Sequence, residues 1–130
     1  MKNLIVDESI SNNYNTVTIK DDIIYVHIEP VDPTQKVIER AIGEVHQLCE
    51  NGQGLILVDP TDAKVLNRRH RMSMVNSFNQ FATAVAFLNT GIVASLMIHF
   101  MIKIDKPRFS IRAFASEMEA IKWLNTFRKE

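Results

Sequence analysis

The chain has 130 residues, 46% of them hydrophobic and 23% charged, the make-up of one globular domain large enough to bury a core without staples. Its 15 basic residues balance 15 acidic ones, which removes any whole-molecule pull toward nucleic acid or anionic lipid and leaves that work to a local patch. Cys49 is the one cysteine, so an internal disulfide is excluded and a reducing, cytoplasmic setting is expected.

The opening MKNLIVDESI places three apolar residues before Asp7 and Glu8, too few for a secretory signal. Residues 1–15 are expected to be loosely ordered or to form an extra edge strand, and residues 16–130 to form the domain proper. In TVTIKDDIIYVHI, residues 16–28, Val17 and Ile19 alternate with polar neighbours, and Ile24, Val26 and Ile28 resume the alternation after Asp21-Asp22. That pattern predicts a β-hairpin with an aspartate turn. Pro30 and Pro33 then break the strand. From residue 34 to 50, Val37, Ile38, Ala41, Ile42, Val45, Leu48 and Cys49 recur at steps of three and four, a helix closed by Asn51-Gly52. Leu55–Val58 is a short continuous apolar run, as in a strand covered on both faces.

That run ends in Asp59-Pro60-Thr61-Asp62, and Arg68, Arg69, His70 and Arg71 follow at a helix start capped by Asn67. Met72, Met74, Val75, Phe78 and Phe81 are expected on its inner side. Cations at a helix N-terminus oppose the macrodipole. Two explanations are open: solvated arginines with Arg71 laying its stem along the core edge, or an anionic partner held by Asp59, Arg68, Arg69, His70 and Arg71 at a helix start. Nucleic acid is not expected, since no recognition motif accompanies the patch.

Ala84–Leu88 reads as another strand. Residues 90–103 carry polar side chains at Ser95, His99 and Lys103, each four apart. A half-buried strand would also be polar at positions 97 and 101, and both are Met; a helix is therefore predicted. The stretch Ile92–Ile104 is 13 residues long, short of the roughly 20 that span a bilayer. Its residues Ile92, Leu96, Met97, Phe100, Met101 and Ile104 leave little polar circumference. Either the neighbouring terminal helix covers it, or it meets a second copy, another protein or a lipid-like ligand lying between it and the sheet. Lys106-Pro107 turns the chain, and Phe109, Ile111 and Ala113 alternate in a last strand. Ser116 and Glu119 form a capping box before a helix with Ala120, Ile121, Trp123, Leu124 and Phe127 inward. Arg128 and Lys129 sit at its C-terminus, where cations are favoured.

The predicted class is α/β: one domain with about five strands in a mixed sheet and about four helices, in the order β-β-α-β-α-β-α-β-α. Strands separated by helices pair in parallel, and the hairpin adds an antiparallel edge. This order, with AVAFL at 84–88, DKPRF at 105–109 and RAFASEMEAIKWL at 112–124, resembles the STAS domain, and more narrowly the stand-alone SpoIIAA-like proteins of bacteria related to anti-sigma-factor antagonists. The resemblance implies a regulatory protein-interaction module without catalysis. It also implies a phosphoacceptor after the central strand, and Thr61 holds that position.

Other chemistry does not assemble. His46, Cys49 and Glu50 have metal-ligand spacing, but Cys49 lies on the apolar stripe, His46 on the polar side, and no second ligand pair stands out; no metal or cofactor is expected. His27 and Glu29 share a strand face and read as a surface pair. There is no nucleophile elbow, phosphate loop or zinc motif. Asp59 at a strand end is one carboxylate, not a constellation, and an enzyme built on it ranks last. The expected activity is binding: a protein partner or self-association first, a small apolar or lipid-like ligand second.

Overall fold

The computed structural model describes residues 9–11, 15–30, 34–49, 53–64, 66–88 and 91–128. Strands β2 (Asn15–Lys20) and β3 (Ile23–Ile28) form the expected hairpin, paired from Lys20↔Ile23 to Asn15↔Ile28. Its two turn residues, Asp21 and Asp22, take φ of 52° and 70°. Two successive positive φ values give the turn whose twist matches the strands it joins, and aspartate tolerates them better than most side chains. A short strand β1 (Ser9–Ser11) pairs antiparallel with β2 on the outer edge.

Three crossovers then build the parallel half. Helix α1 (Gln35–Leu48) is capped by Thr34, whose side chain accepts from the Val37 N–H, and leads to β4 (Leu55–Asp59). Gly54 enters β4 at φ 66°, and a Cβ there would stand 2.5 Å from the Phe81 carbonyl oxygen, so glycine is required. Helix α2 (Arg68–Phe78), with the Asn67 side chain accepting from His70 N–H, leads to β5 (Ala84–Leu88). Helix α3 (Ile92–Phe100) widens into a π turn over Met101–Asp105 before β6 (Ser110–Phe114). Helix α4 (Glu117–Asn125) begins where Ser116 accepts from Glu119 N–H, the capping box read from sequence. Pro33, Asn51 and Gly52, expected to punctuate the chain, lie outside the described residues.

The sheet runs β1-β2-β3-β4-β5-β6, with β3 through β6 parallel. All parallel strands therefore end on one edge. Helices α1, α2 and α3 share one face, packed on a core that includes Val17, Ile24, Val26, Ile56, Val85 and Phe87. Among the described helices α4 alone lies on the other face, where Ala120 and Leu124 cover Ile23, Leu55, Leu57, Ala84 and Ala86. Trp123 seals its outer margin against Phe114 and Phe127, with ring centroids 5.5 and 4.9 Å away. This division corrects one expectation: the terminal helix does not cover α3, because the sheet stands between them. It also leaves the α4 face uneven, for α4 packs chiefly on β5, β4 and β6.

Candidate functional site

Two features stand out, one at the edge where the parallel strands end and one along α3. The register places His27 of β3 opposite Asp59 of β4. The His27 Nδ1 lies 3.4 Å from Asp59 Oδ2, and its Nε2 lies 3.0 Å from Asp62 Oδ2. Asp59 Oδ1 accepts from the Thr61 backbone N–H at 3.0 Å and from the Thr61 hydroxyl, so the Asp59-Pro60-Thr61-Asp62 turn is tied by its first side chain. Partial burial pushes the Asp59 carboxyl up. The hydrogen bonds from Thr61 and His27, with the His27 charge, outweigh that and hold it below the usual carboxylate value. Thr61, the position implied as a phosphoacceptor, is exposed. His27 was read with Glu29; instead Glu29 accepts from the Thr16 hydroxyl at 2.9 Å, and His27 turns to β4. Only the strand register could have revealed that.

The basic cluster separates by role. Arg68 and Arg69 are exposed, and Arg69 Nε donates to Gln35 Oε1 at 3.1 Å. His70 is half-buried. Arg71 is committed inward: its Nε donates to Asp105 Oδ2 at 2.7 Å and a terminal nitrogen donates to Asp105 Oδ1 at 3.3 Å. The guanidinium also sits 5.2 Å from the Phe100 ring centroid. Its place is between α2 and the π turn, as the buried-stem alternative holds, and it does not contribute to an exposed patch.

Along α3 the apolar circumference divides. Ala94, Met97, Ile98 and Met101 are buried. Met97 and Met101 were expected on the outer face; the structure places them in the core, since a helix crossing from β5 to β6 must turn one side to the sheet. Ile92, Leu96, Phe100 and Ile104 follow one another at steps of four and remain 80%, 54%, 39% and 55% exposed, with Ile102 beside them at 39%. At the start of α3 a cleft of about 150 Å³ lies against Pro60, Thr61 and Lys64. Cys49 is buried, and burial, with a smaller push from Asp22, drives its thiol up to about 12. His46 stacks on Phe81 at 4.4 Å. Among the described residues no group of His, Cys, Asp or Glu is placed to hold a metal ion, and no described helix is long and apolar enough to cross a membrane.

Residues 17–128 match a family described as a domain of unknown function, DUF7793. The chain belongs to this family. No curated protein matches it. Among solved structures, a protein with unknown function from Arthrobacter sp. FB24 is 20% identical over 90% of this chain and 97% of that one, with a TM-score of 0.30. The DUF7793 match begins within β2 and spans every later strand and helix through α4, so it takes in both the strand-end cluster and the α3 row.

Proposed function

We infer that this chain is a non-catalytic, STAS-like interaction module that docks a protein through the outer row of α3. One observation carries the reading. Ile92, Leu96, Phe100 and Ile104 form a continuous apolar ridge on a helix whose other side already fills the core. Isolated exposed apolar residues are ordinary, but a contiguous ridge marks a surface that another protein covers. The exposed Thr61 lies beside the first turn of this helix, across the cleft lined by Gly91 and Ile92. A phosphate added there would bring new charge to the end of the ridge. The strand-end cluster gives the non-catalytic half of the reading its support. Both ring nitrogens of His27 face carboxylate oxygens, so the imidazole is engaged in tying β3 to the turn after β4.

The test compares the wild type, an Ile92→Glu/Leu96→Glu variant and a Met118→Glu control. Met118 is 79% exposed on α4, across the sheet from the ridge. All three should fold with similar urea midpoints. Light scattering and co-purification should show association, with a second copy or another protein, for the wild type and the control, and its loss in the double variant. The same association profile in all three would remove the ridge from the function.

A further inference from the structure

Toward β2 and β3 no described element covers the α4 face of the sheet, and a cleft of about 170 Å³ lies there, outside the α3 ridge. Its floor is two cross-strand rows. One joins Thr18, Tyr25 and Leu57; the next joins Thr16, His27 and Asp59. Leu88 of β5 and Glu117 of α4 close the side. The cleft is thus at the C-terminal ends of parallel strands, where α/β sheets place their ligands. In the second row the polar groups are engaged, His27 with Asp59 and Thr16 with Glu29, but those of the first row and of α4 are not. Among the described residues, the Thr18 hydroxyl, the Tyr25 hydroxyl and the Glu117 carboxylate have no hydrogen-bond partner.

Charge selects the ligand. Among the described residues, His27 is the sole basic side chain in the lining, and it is bracketed by Asp59 and Asp62. Those three groups sum to a negative charge even with the imidazole protonated, and Glu117 adds another. The partial positive charge at the start of α4 is opposed by Glu117 and Glu119 in its first turn. Burial pushes the Tyr25 hydroxyl up from its ordinary value, and the charges of Glu117 and Asp21 push it further; the carboxylate field reaches into the cleft. The floor between the polar groups is apolar, from Leu57, Leu88 and the Tyr25 ring. We propose that this cleft binds a small alkylammonium ligand. Glu117 receives the ammonium, the Thr18 and Tyr25 hydroxyl oxygens accept its remaining protons, and the alkyl chain lies on Leu57 and Leu88. A cavity of this size is below the roughly 300–1,000 Å³ of drug-sized sites, so the ligand is a compact amine and not a lipid chain.

The experiment titrates isotope-labelled protein with n-pentylammonium at constant ionic strength, reading backbone amide shifts, with n-pentanol and pentanoate as isosteres. The expected result is saturable shifts at Thr18, Tyr25, Leu57 and Leu88 for the ammonium. The alcohol should bind at least about tenfold more weakly, the difference one charge-assisted contact makes, and the carboxylate not at all. Glu117→Gln, which keeps the side-chain shape at an exposed position, should raise the ammonium Kd by about tenfold. No saturable shift, an equal response to pentanol, shifts outside the cleft, or an unchanged Kd in Glu117→Gln would each overturn the proposal.

Discussion

The Arg71–Asp105 pair is the most exacting test of how α3 is held. The side chains are 9% and 0% exposed and make two hydrogen bonds, one of 2.7 Å. Asp105→Asn keeps the shape but leaves a buried guanidinium without its counter-charge. Breaking a buried pair from one side costs about 3–5 kcal/mol, because the remaining charge is stranded, not because the pair itself is worth so much. A domain of this class is stable by about 5–15 kcal/mol, so the single variant should lose a large share and melt roughly 10–20 °C lower. Arg71→Met should cost a similar amount, since it strands the Asp105 carboxylate at 0% exposure and loses the Phe100 contact. Replacing both, as Arg71→Met with Asp105→Asn, removes both charges from the interior. That double variant should be more stable than Asp105→Asn. Urea denaturation of the four proteins measures the cycle. A loss under about 1 kcal/mol in Asp105→Asn, well short of a buried-pair cost, would refute the reasoning. So would a double variant whose cost is the sum of the singles.

Two further outcomes follow from the site. The Cys49 thiol, raised to about 12 by burial, should resist alkylation in the folded chain at pH 8 and react fully in urea; stoichiometric labelling without denaturant would contradict the core placement. Asp59 has a depressed folded value, so the stability its ionised form contributes is present above the unfolded carboxyl value of about 3.9 and lost as pH falls through the folded one. The stability gap between wild type and Asp59→Asn should therefore narrow as urea titrations move from pH 6 into the acid range, and a gap that widens on acidification would show that the hydrogen bonds to Asp59 do not favour its charged form.

Local chemistry made most of the fold legible. The hairpin was visible because its period is two and its turn is a pair of residues that accept positive φ. Helix α4 was visible because Ser116 and Glu119 announce its first turn. The period of Ser95, His99 and Lys103 separated helix from strand for α3, and all three are indeed exposed. What periodicity could not supply was which apolar residues of α3 face the sheet. Leu96 and Met97 are equally greasy neighbours, and only the crossover from β5 to β6 decides that Met97 turns inward. The π turn left no trace either: nothing in MIKID signals it, while in the fold it lets Met101 remain buried and Asp105 meet Arg71. The pairing of His27 with Asp59 spans 32 residues and exists only because β3 and β4 align in one register.

The open cleft has a similar origin, in topology and not in any motif. Three successive crossovers place α1, α2 and α3 on a single face, and among the described residues one helix is left for the other. A helix is about 10 Å wide, and neighbouring strands are about 4.8 Å apart, so one helix covers two to three strands of six. Among the described residues, the strands left bare are the ones farthest from β6, from which α4 returns: the short edge strand β1, then β2 and β3. There the outward side chains become polar: Thr18 and Tyr25 share a row with Leu57 and Ala86 of β4 and β5, and Thr16 and His27 share the next with Asp59. Exposure alone would favour any polar residues at these positions. Hydroxyls and carboxylates gathered round an apolar floor are more specific than exposure requires, and lysine, the common choice for a solvated strand, appears on this face of β2 only at Lys20, beyond the cleft.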